Sequence, residues 1–197
     1  TILPVGDFDV VVSLLQGSDT IHSETISLTK YPPAEKELKV DRENLCMLVD
    51  GEPFFPIGVL GIPETKIAEY AQAGFNFTRG PATENFMDIA YYNRMLVSQP
   101  TYYCIPRNYY STRSLDEIEQ TIRSSSLVST IEKVKGHPAH GGYFWDEPLE
   151  NEVEGARILS KVTRELDPYH PIYPCFYQVT GPTISPEMYD INIADLY

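Results

Sequence analysis

The chain has 197 residues, of which 42% are hydrophobic and 22% charged, a composition typical of folded globular proteins and unlike that of disordered ones. Its 15 lysines and arginines are outnumbered by 28 aspartates and glutamates, and the resulting net charge of −13 disfavours binding to nucleic acid or to an anionic membrane surface. The apolar runs are far shorter than the roughly 18 residues that a membrane span requires.

The amino-terminal part, residues 1–38, has the pattern of a β-hairpin followed by a linker. Apolar side chains alternate from Phe8 to Leu14, and a period of two returns after the turn sequence Gln16-Gly17-Ser18-Asp19. Two strands alone are marginally stable in water, so we expect the hairpin to belong to a larger sheet. Adjacent prolines in residues 31–36 predict an extended linker, because proline removes a backbone donor and fixes φ.

From about residue 39 the pattern changes to strands that alternate with helices. Short apolar runs bounded by glycine or proline predict the strands, and apolar side chains spaced three and four apart predict the helices. The predicted strands span residues 54–59, 75–79, 95–105, 141–145, 172–176 and 190–194. The predicted helices span residues 64–73, 83–92, 115–134 and 153–166.

Local signals indicate where three of these helices begin or end. Ser114 and Glu117 have the spacing of a capping box, and Asn151 with Glu154 resembles a second one. We expect Asn93 to close the second helix in the left-handed conformation, which asparagine tolerates better than most residues.

Strands and helices that alternate in this way form right-handed βαβ crossovers and a parallel sheet. A closed (β/α)8 barrel typically needs about 250 residues, more than residues 39–197 provide. An open, doubly wound sheet would fit the length, but no glycine-rich phosphate loop follows any predicted strand. We therefore predict an α/β fold in which residues 39–197 form about six strands of an incomplete (β/α)8 TIM barrel.

Two stretches carry a resemblance to a known family. Residues 48–58 read Leu-Val-Asp-Gly-Glu-Pro-Phe-Phe-Pro-Ile-Gly and combine an Asp-Gly hairpin turn with the first predicted barrel strand. Residues 137–148 read His-Pro-Ala-His-Gly-Gly-Tyr-Phe-Trp-Asp-Glu-Pro and contain the fourth. Together they resemble the (β/α)8 retaining glycoside hydrolases of the β-galactosidase and β-glucuronidase superfamily. Because those enzymes often carry β-sandwich domains before the barrel, the resemblance implies that residues 1–38 are the end of a β-sandwich domain plus a linker.

The resemblance implies roles for residues at the strand ends. Glu147, followed by Pro148, matches the family's general acid/base. Asp146 stands where the family usually has an asparagine that hydrogen-bonds the sugar 2-hydroxyl, and an aspartate can accept such a bond but cannot donate one. Arg79 matches an arginine that orients the nucleophile, and Tyr197 matches a tyrosine that touches it. The nucleophile itself is expected on a seventh strand, beyond this chain.

The chemistry of glycoside hydrolysis leaves alternatives for two of these positions. It needs two carboxyl groups on opposite sides of the anomeric carbon, one as a proton donor and the other as a nucleophile or base. Asp195 is a possible second carboxylate within this chain, and with Glu147 it would make an inverting pair. Arg79 could grip a carboxylate through two parallel hydrogen bonds, or it could form a structural ion pair inside the barrel.

Aromatic side chains near the predicted strand ends are candidates for sugar binding, because aromatic rings cover the flat C–H faces of sugars. Trp145 is the first stacking candidate, with core packing as its alternative. Tyr103 and Tyr177 are further substrate-binding candidates. The other aromatic residues of these segments are Tyr102, Tyr109, Tyr110 and Phe176.

Cysteine and histidine provide no pattern for a metal site. The cysteines are widely spaced and predict buried thiols rather than a disulfide framework or a zinc site; they are Cys46, Cys104 and Cys175. The histidines have no metal-ligand spacing; they are His22, His137, His140 and His170. No Gly-x-Ser-x-Gly nucleophile motif occurs. We therefore predict no metal and no cofactor.

The combined prediction is a glycosidase that cleaves O-glycosidic bonds of an oligo- or polysaccharide by the retaining mechanism. A carbohydrate substrate is the expected partner, with no nucleic acid and no membrane span, and the resemblance implies an extracellular or periplasmic location. Two alternatives stay open. One is a non-catalytic carbohydrate-binding or scaffold protein on a degenerate barrel, and the other is a fragment whose open sheet edge requires the rest of its polypeptide.

Overall fold

The computed structural model describes residues 3–176, 188–191 and 193–194. The chain divides into two compact units, Thr1–Ala34 and Glu35–Tyr197. Among the described residues, no helix has both the length and the apolar character needed to cross a membrane.

The first unit is an antiparallel hairpin of two long strands, β1 (Gly6–Gln16) and β2 (Asp19–Lys30). Gly17 has a φ of 62° in the turn, a conformation that glycine adopts without a steric penalty. The predicted hairpin is therefore confirmed. Its large apolar side chains are between 39% and 62% exposed; they are Val10, Val11, Val12, Leu14, Leu15, Ile21, Ile26 and Leu28. That a larger sheet covers these faces stays a prediction.

The second unit opens with a small antiparallel sheet of β3 (Leu38–Asp41), β4 (Cys46–Val49) and β5 (Glu52–Phe54). The predicted Asp-Gly turn joins β4 to β5, and its two residues have φ values of 52° and 84°, as a type I′ hairpin turn requires. The strand predicted over residues 54–59 is wrong. Residues 52–54 pair inside this small sheet, and Pro56, which has no N–H to donate, lies between them and the first parallel strand.

The larger sheet is parallel throughout, and each of its strands pairs with the next one in the chain. A doubly wound sheet would reverse its strand order at one point, so this order is that of a sheet wound in one direction, curled as part of a barrel. The strands are β6 (Gly58–Leu60), β7 (Phe77–Arg79), β8 (Leu96–Pro100), β9 (His140–Asp146), β10 (Ile172–Phe176) and β11 (Ile193–Ala194).

Helices connect the strands from β6 to β10 and form one hydrophobic core with them. Three short 3₁₀ segments, Glu64–Lys66, Tyr102–Cys104 and Glu150–Glu152, lie between the regular elements. The helices are α1 (Ile67–Gln72), α2 (Glu84–Tyr92), α3 (Tyr109–Thr112), α4 (Leu115–Arg123), α5 (Ser126–Val134) and α6 (Val153–Leu166).

The helix boundaries confirm one predicted cap and correct three other predictions. Ser114 and Glu117 form the predicted capping box. The single helix predicted over residues 115–134 is two helices, because the Ser125 hydroxyl accepts a hydrogen bond from the Leu127 N–H at 3.2 Å and starts a second one.

The other two corrections concern single residues at helix ends. Asn151 does not cap α6, since it lies inside a 3₁₀ turn that precedes Val153. Asn93 keeps a φ of −96° and donates its side-chain amide to the Ile89 carbonyl at 2.8 Å. The positive φ, 58°, falls on Arg94 instead.

The extended segment predicted over residues 95–105 is also too long. β8 ends at Pro100, and Thr101 has helical backbone angles, which start the following 3₁₀ turn. This turn places two adjacent tyrosines, Tyr102 and Tyr103, beside the ends of β8 and β9.

Candidate active site at the carboxyl ends of the strands

Three of the predicted site residues lie together at one edge of the parallel sheet. Arg79 is the last residue of β7, Asp146 is the last residue of β9, and Glu147 follows directly. The carboxyl ends of parallel strands meet at the same edge, where barrel enzymes have their active sites. The fold therefore brings Arg79 next to Asp146 although 67 positions separate them.

Arg79 and Asp146 form an ion pair that a tyrosine completes. The Arg79 Nη1 lies 3.2 Å from the Asp146 Oδ2 and donates to the Tyr102 hydroxyl at 3.3 Å. That hydroxyl lies 3.4 Å from the same Oδ2 and 2.6 Å from the Tyr103 hydroxyl. Burial, and next the hydrogen bond with Tyr103, raises the pKa of Tyr102, so it stays a protonated donor.

The two charged side chains keep access to solvent. Arg79 is 24% exposed and Asp146 is 33% exposed, and the guanidinium also lies over the Phe144 ring, 5.5 Å from its centroid. A cavity of about 340 Å³, with mostly apolar walls, adjoins Arg79 and Phe144, and its size is in the range of small-molecule sites. Of the two charged side chains, Arg79 therefore borders this cavity.

Glu147 has an unusual backbone conformation for a residue with a side chain. Its φ is 46°, in the left-handed region that costs non-glycine residues about 1 kcal/mol or more. Two hydrogen bonds hold it there. Its N–H donates to the Cys175 carbonyl at 2.9 Å, and its own carbonyl accepts from the Arg107 Nη2. The half-buried Glu147 is thus set on a strained turn that β10 and Arg107 constrain.

Arg107 is held in turn by a carboxylate. Its Nε and Nη2 lie 3.2 Å and 2.7 Å from the two oxygens of Glu152, whose side chain is only 5% exposed. Glu152 also accepts a hydrogen bond from the Leu149 N–H at 3.0 Å. The two hydrogen bonds to Glu152 hold the guanidinium in the position from which it bonds the Glu147 carbonyl. The sequence did not identify Arg107 or Glu152, because they are 45 positions apart and belong to no motif.

We expect Arg107→Met to destabilise the fold, because it leaves the buried Glu152 carboxylate without its partner. The side chain of Arg107 is 40% exposed, so water offsets part of this cost and a loss of about 1 to 3 kcal/mol is expected. Urea unfolding measures it. Arg113→Met, at an exposed position, is the matched control and should change stability by less than about 0.5 kcal/mol. Equal stability of Arg107→Met and wild type would contradict the stabilising role of the Arg107–Glu152 ion pair.

The aromatic candidates separate into a buried residue and an exposed one. Trp145 is 2% exposed and packs edge-on against Tyr110 of α3, with ring centroids 4.7 Å apart. This burial favours the core-packing alternative for Trp145, which points to the helices, whereas its neighbours Phe144 and Asp146 contact Arg79. Tyr103 is 69% exposed beside the ion pair, so it keeps a ring face for a ligand.

The remaining sequence candidates have different outcomes. Tyr177, Asp195 and Tyr197 lie outside the described residues, so their roles stay predictions. Among the cysteines, Cys175 is buried as predicted, whereas Cys46 and Cys104 are partly buried.

Two of the histidines form a cluster with an aspartate that the spacing of the histidines did not predict. His140, Asp167 and His170 offer ligand atoms that all lie within 4.8 Å of one another. Burial, and next the neighbouring His170, lowers the pKa of His140. The cluster was missed because Asp167 precedes β10, and only the pairing of β9 with β10 brings it to His140.

Comparison with known proteins identifies a shared fold. No protein-family model matches the sequence, and no curated protein matches it significantly. Among solved structures, the β-D-glucuronidase of Dictyoglomus thermophilum is 16% identical with a TM-score of 0.62, covering 94% of this chain and 35% of that one. A glycosyl hydrolase family 2 member from Bacteroides cellulosilyticus is 16% identical with a TM-score of 0.58, covering 96% and 27%.

A third structure, the β-glucuronidase of Parabacteroides merdae, is 11% identical with a TM-score of 0.56, covering 97% of this chain and 26% of that one. The chain thus spans between 26% and 35% of the length of these three structures. At such low identity the similarity shows the fold, which is a part of the α/β fold of these glycoside hydrolases.

Proposed function

We propose that the complete protein is a retaining glycosidase that cleaves O-glycosidic bonds of an oligo- or polysaccharide. The observation that carries the proposal is the position of Glu147, directly after the Arg79–Asp146 ion pair at the carboxyl edge of a partial barrel sheet. The fold shared with β-glucuronidases supports it. The extracellular or periplasmic location implied by the sequence resemblance belongs to the same proposal.

Each residue of the site has a distinct task in this proposal. Glu147 donates a proton to the leaving glycosidic oxygen and then takes one from the attacking water. Asp146 accepts a hydrogen bond from a sugar hydroxyl through the oxygen that Arg79 does not hold. Tyr103 covers an apolar face of the sugar. The nucleophile is expected on a seventh strand, as part of two further βα units that would complete the eight-stranded barrel.

The alternative is a carbohydrate-binding protein without catalysis. The residue at position 146 favours this reading. An aspartate that pairs with Arg79 at 3.2 Å stands where the enzymes of the resembled superfamily usually have an asparagine. Both proposals use the same pocket and the same ligand class. They differ in turnover, so a binding measurement alone does not separate them.

The test is hydrolysis of p-nitrophenyl β-D-glycosides, including the glucuronide and the galactoside, by the complete protein. Proton NMR of the first sugar released identifies its anomer. Release of the β-anomer supports the retaining mechanism, and release of the α-anomer would replace it with the inverting one. Saturable binding of an oligosaccharide with no release of product would favour the non-catalytic alternative.

We expect Arg79→Lys to lower kcat/KM by about 10- to 100-fold in the complete protein. Lysine keeps the charge but lacks the planar guanidinium that lies over the Phe144 ring while its Nη1 contacts Asp146 and Tyr102, and a charge-assisted hydrogen bond is worth about 1.5 to 3 kcal/mol. Steady-state kinetics measures the effect. Arg42→Lys, whose side chain is 73% exposed, should keep wild-type kinetics. An unchanged kcat/KM in Arg79→Lys would remove Arg79 from the site.

A further inference from the structure

A buried polar cluster lies at the opposite end of the sheet from the candidate active site. His140 is the first residue of β9, and Asp167 and His170 lie in the segment between α6 and β10. The three residues are 2%, 1% and 5% exposed. Since parallel strands start at the same edge, this cluster belongs to the amino end of the sheet, and the proposed glycosidase chemistry does not use it.

The geometry converges on a single point. The Asp167 Oδ2 lies 2.8 Å from the His170 Nδ1 and 3.8 Å from the His140 Nε2, and all three ligand atoms fall within 4.8 Å. Ligand atoms around a tetrahedral zinc ion are separated by roughly 3.3 Å, given bonds of about 2.0 to 2.2 Å. Shifts of about 1 Å in the side chains would therefore complete the arrangement.

His140 is the unexplained member of the cluster. Both of its ring nitrogens are fully buried, and neither has a partner within ordinary hydrogen-bond geometry among the described residues, with the Val97 backbone and the Asp167 Oδ2, 3.8 Å from Nε2, as its polar neighbours. Buried polar atoms in folded proteins are nearly always paired, so such an atom requires an explanation. A histidine with two unpaired nitrogens beside a carboxylate has the donor set that zinc prefers.

The surroundings fix the carboxylate and leave room for one more ligand. Asp167 accepts hydrogen bonds from the Tyr143 hydroxyl at 2.6 Å and from the Tyr169 N–H at 3.0 Å, which is how outer partners orient metal ligands. A cavity of about 20 Å³ touches both His140 and His170. That volume suffices for one water molecule.

We propose that His140, Asp167 and His170 bind one Zn²⁺ ion, with a water molecule as the fourth ligand. Binding replaces the hydrogen bond between Asp167 and His170, and the proton on the His170 Nδ1 moves to its Nε2, so that the ring stays neutral. The ion joins the start of β9 to the segment that leads into β10. The ion lies at the opposite edge of the sheet from the candidate active site, and the proposal is independent of the proposed glycosidase activity.

The test is calorimetric titration of the complete protein with ZnCl₂ after removal of metals with EDTA. We expect one ion to bind with a Kd in the micromolar range or below, and saturating Zn²⁺ to raise Tm by roughly 5 to 10 °C. His140→Leu should weaken binding by more than the roughly 10- to 100-fold that loss of an outer partner costs. His22→Leu, on the hairpin, is the matched control and should bind as wild type does.

Two results would overturn the proposal: no binding by the wild-type protein at 100-fold excess Zn²⁺, or equal binding by His140→Leu. X-ray absorption of the zinc-loaded wild type covers the case in which His140→Leu does not fold. A first shell of nitrogen and oxygen with two imidazoles is expected, and a sulfur shell would assign the ion to cysteine and refute the site.

Discussion

Glu147→Gln is expected to lower kcat/KM of the complete protein by about 10²- to 10⁴-fold on a substrate with a poor leaving group, the range in which general acid/base residues contribute. Glutamine is nearly isosteric with glutamate but cannot donate an acidic proton. The loss should be much smaller on p-nitrophenyl glycosides, because p-nitrophenolate leaves without protonation. Steady-state kinetics on both substrate types measures the difference.

Glu150→Gln is the matched control for Glu147→Gln. Glu150 is three positions away, lies in the next turn and is exposed, so its change should alter neither kinetics nor Tm. Glu147→Gln keeps the hydrogen bonds of the Glu147 backbone to the Cys175 carbonyl and the Arg107 guanidinium, since they do not involve its side chain. Wild-type turnover of both substrate types by Glu147→Gln would contradict the assignment.

Gly142→Ala is expected to destabilise the second unit by about 4 kcal/mol, for two additive reasons. Gly142 lies inside β9 with a φ of 104°, a conformation that side chains rarely allow. An added Cβ would also lie 2.4 Å from the Pro171 carbonyl oxygen and 2.9 Å from the Tyr173 ring. Both neighbours belong to the segment of β10, so the strands on each side of the candidate site would separate.

Thermal unfolding measures this effect, and a decrease in Tm of roughly 10 °C is expected. The control is Gly136→Ala, at an exposed position where an added Cβ meets nothing within 4 Å. It should leave stability unchanged or raise it slightly, because alanine restricts the unfolded chain. Equal Tm values for the two variants would show that β9 and β10 are not packed as described.

The architecture was largely accessible from sequence because its signals are local. Alternating apolar runs and helical stripes predicted a parallel α/β sheet, and the Ser114–Glu117 spacing located the start of α4. The predicted boundaries were wrong where a second local signal interrupted an apolar pattern. Ser125 caps a new helix inside an uninterrupted apolar stripe, and Pro56 divides an apolar run between two different sheets.

The site was only partly predictable, because its contacts join distant parts of the chain. The resemblance to glycoside hydrolases singled out Arg79 and Asp146, but their pairing depends on the sheet. Arg107 and Glu152 belong to no motif, and only the fold places them under Glu147. The sequence could not decide between sugar stacking and core packing for Trp145, because a strand places alternate residues on opposite faces and the inner face was unknown.

In the two proposals the ends of the sheet have different physical tasks. The carboxyl edge holds a partly exposed ion pair and a strained glutamate, an arrangement typical of functional sites. The amino edge holds a buried cluster around Asp167, where zinc would add stability without contact with substrate. Variants at one edge should leave the property of the other edge unchanged, since additive effects are expected for well-separated sites.

The most direct test of the central claim is azide rescue of Glu147→Ala in the complete protein. An aryl glycoside with a good leaving group still forms the glycosyl-enzyme intermediate, and azide can then attack its anomeric carbon without a general base. The account predicts that azide restores turnover and yields a glycosyl azide with the anomeric configuration of the substrate. No rescue, or an azide of the opposite configuration, would contradict the assignment of Glu147 as the general acid/base.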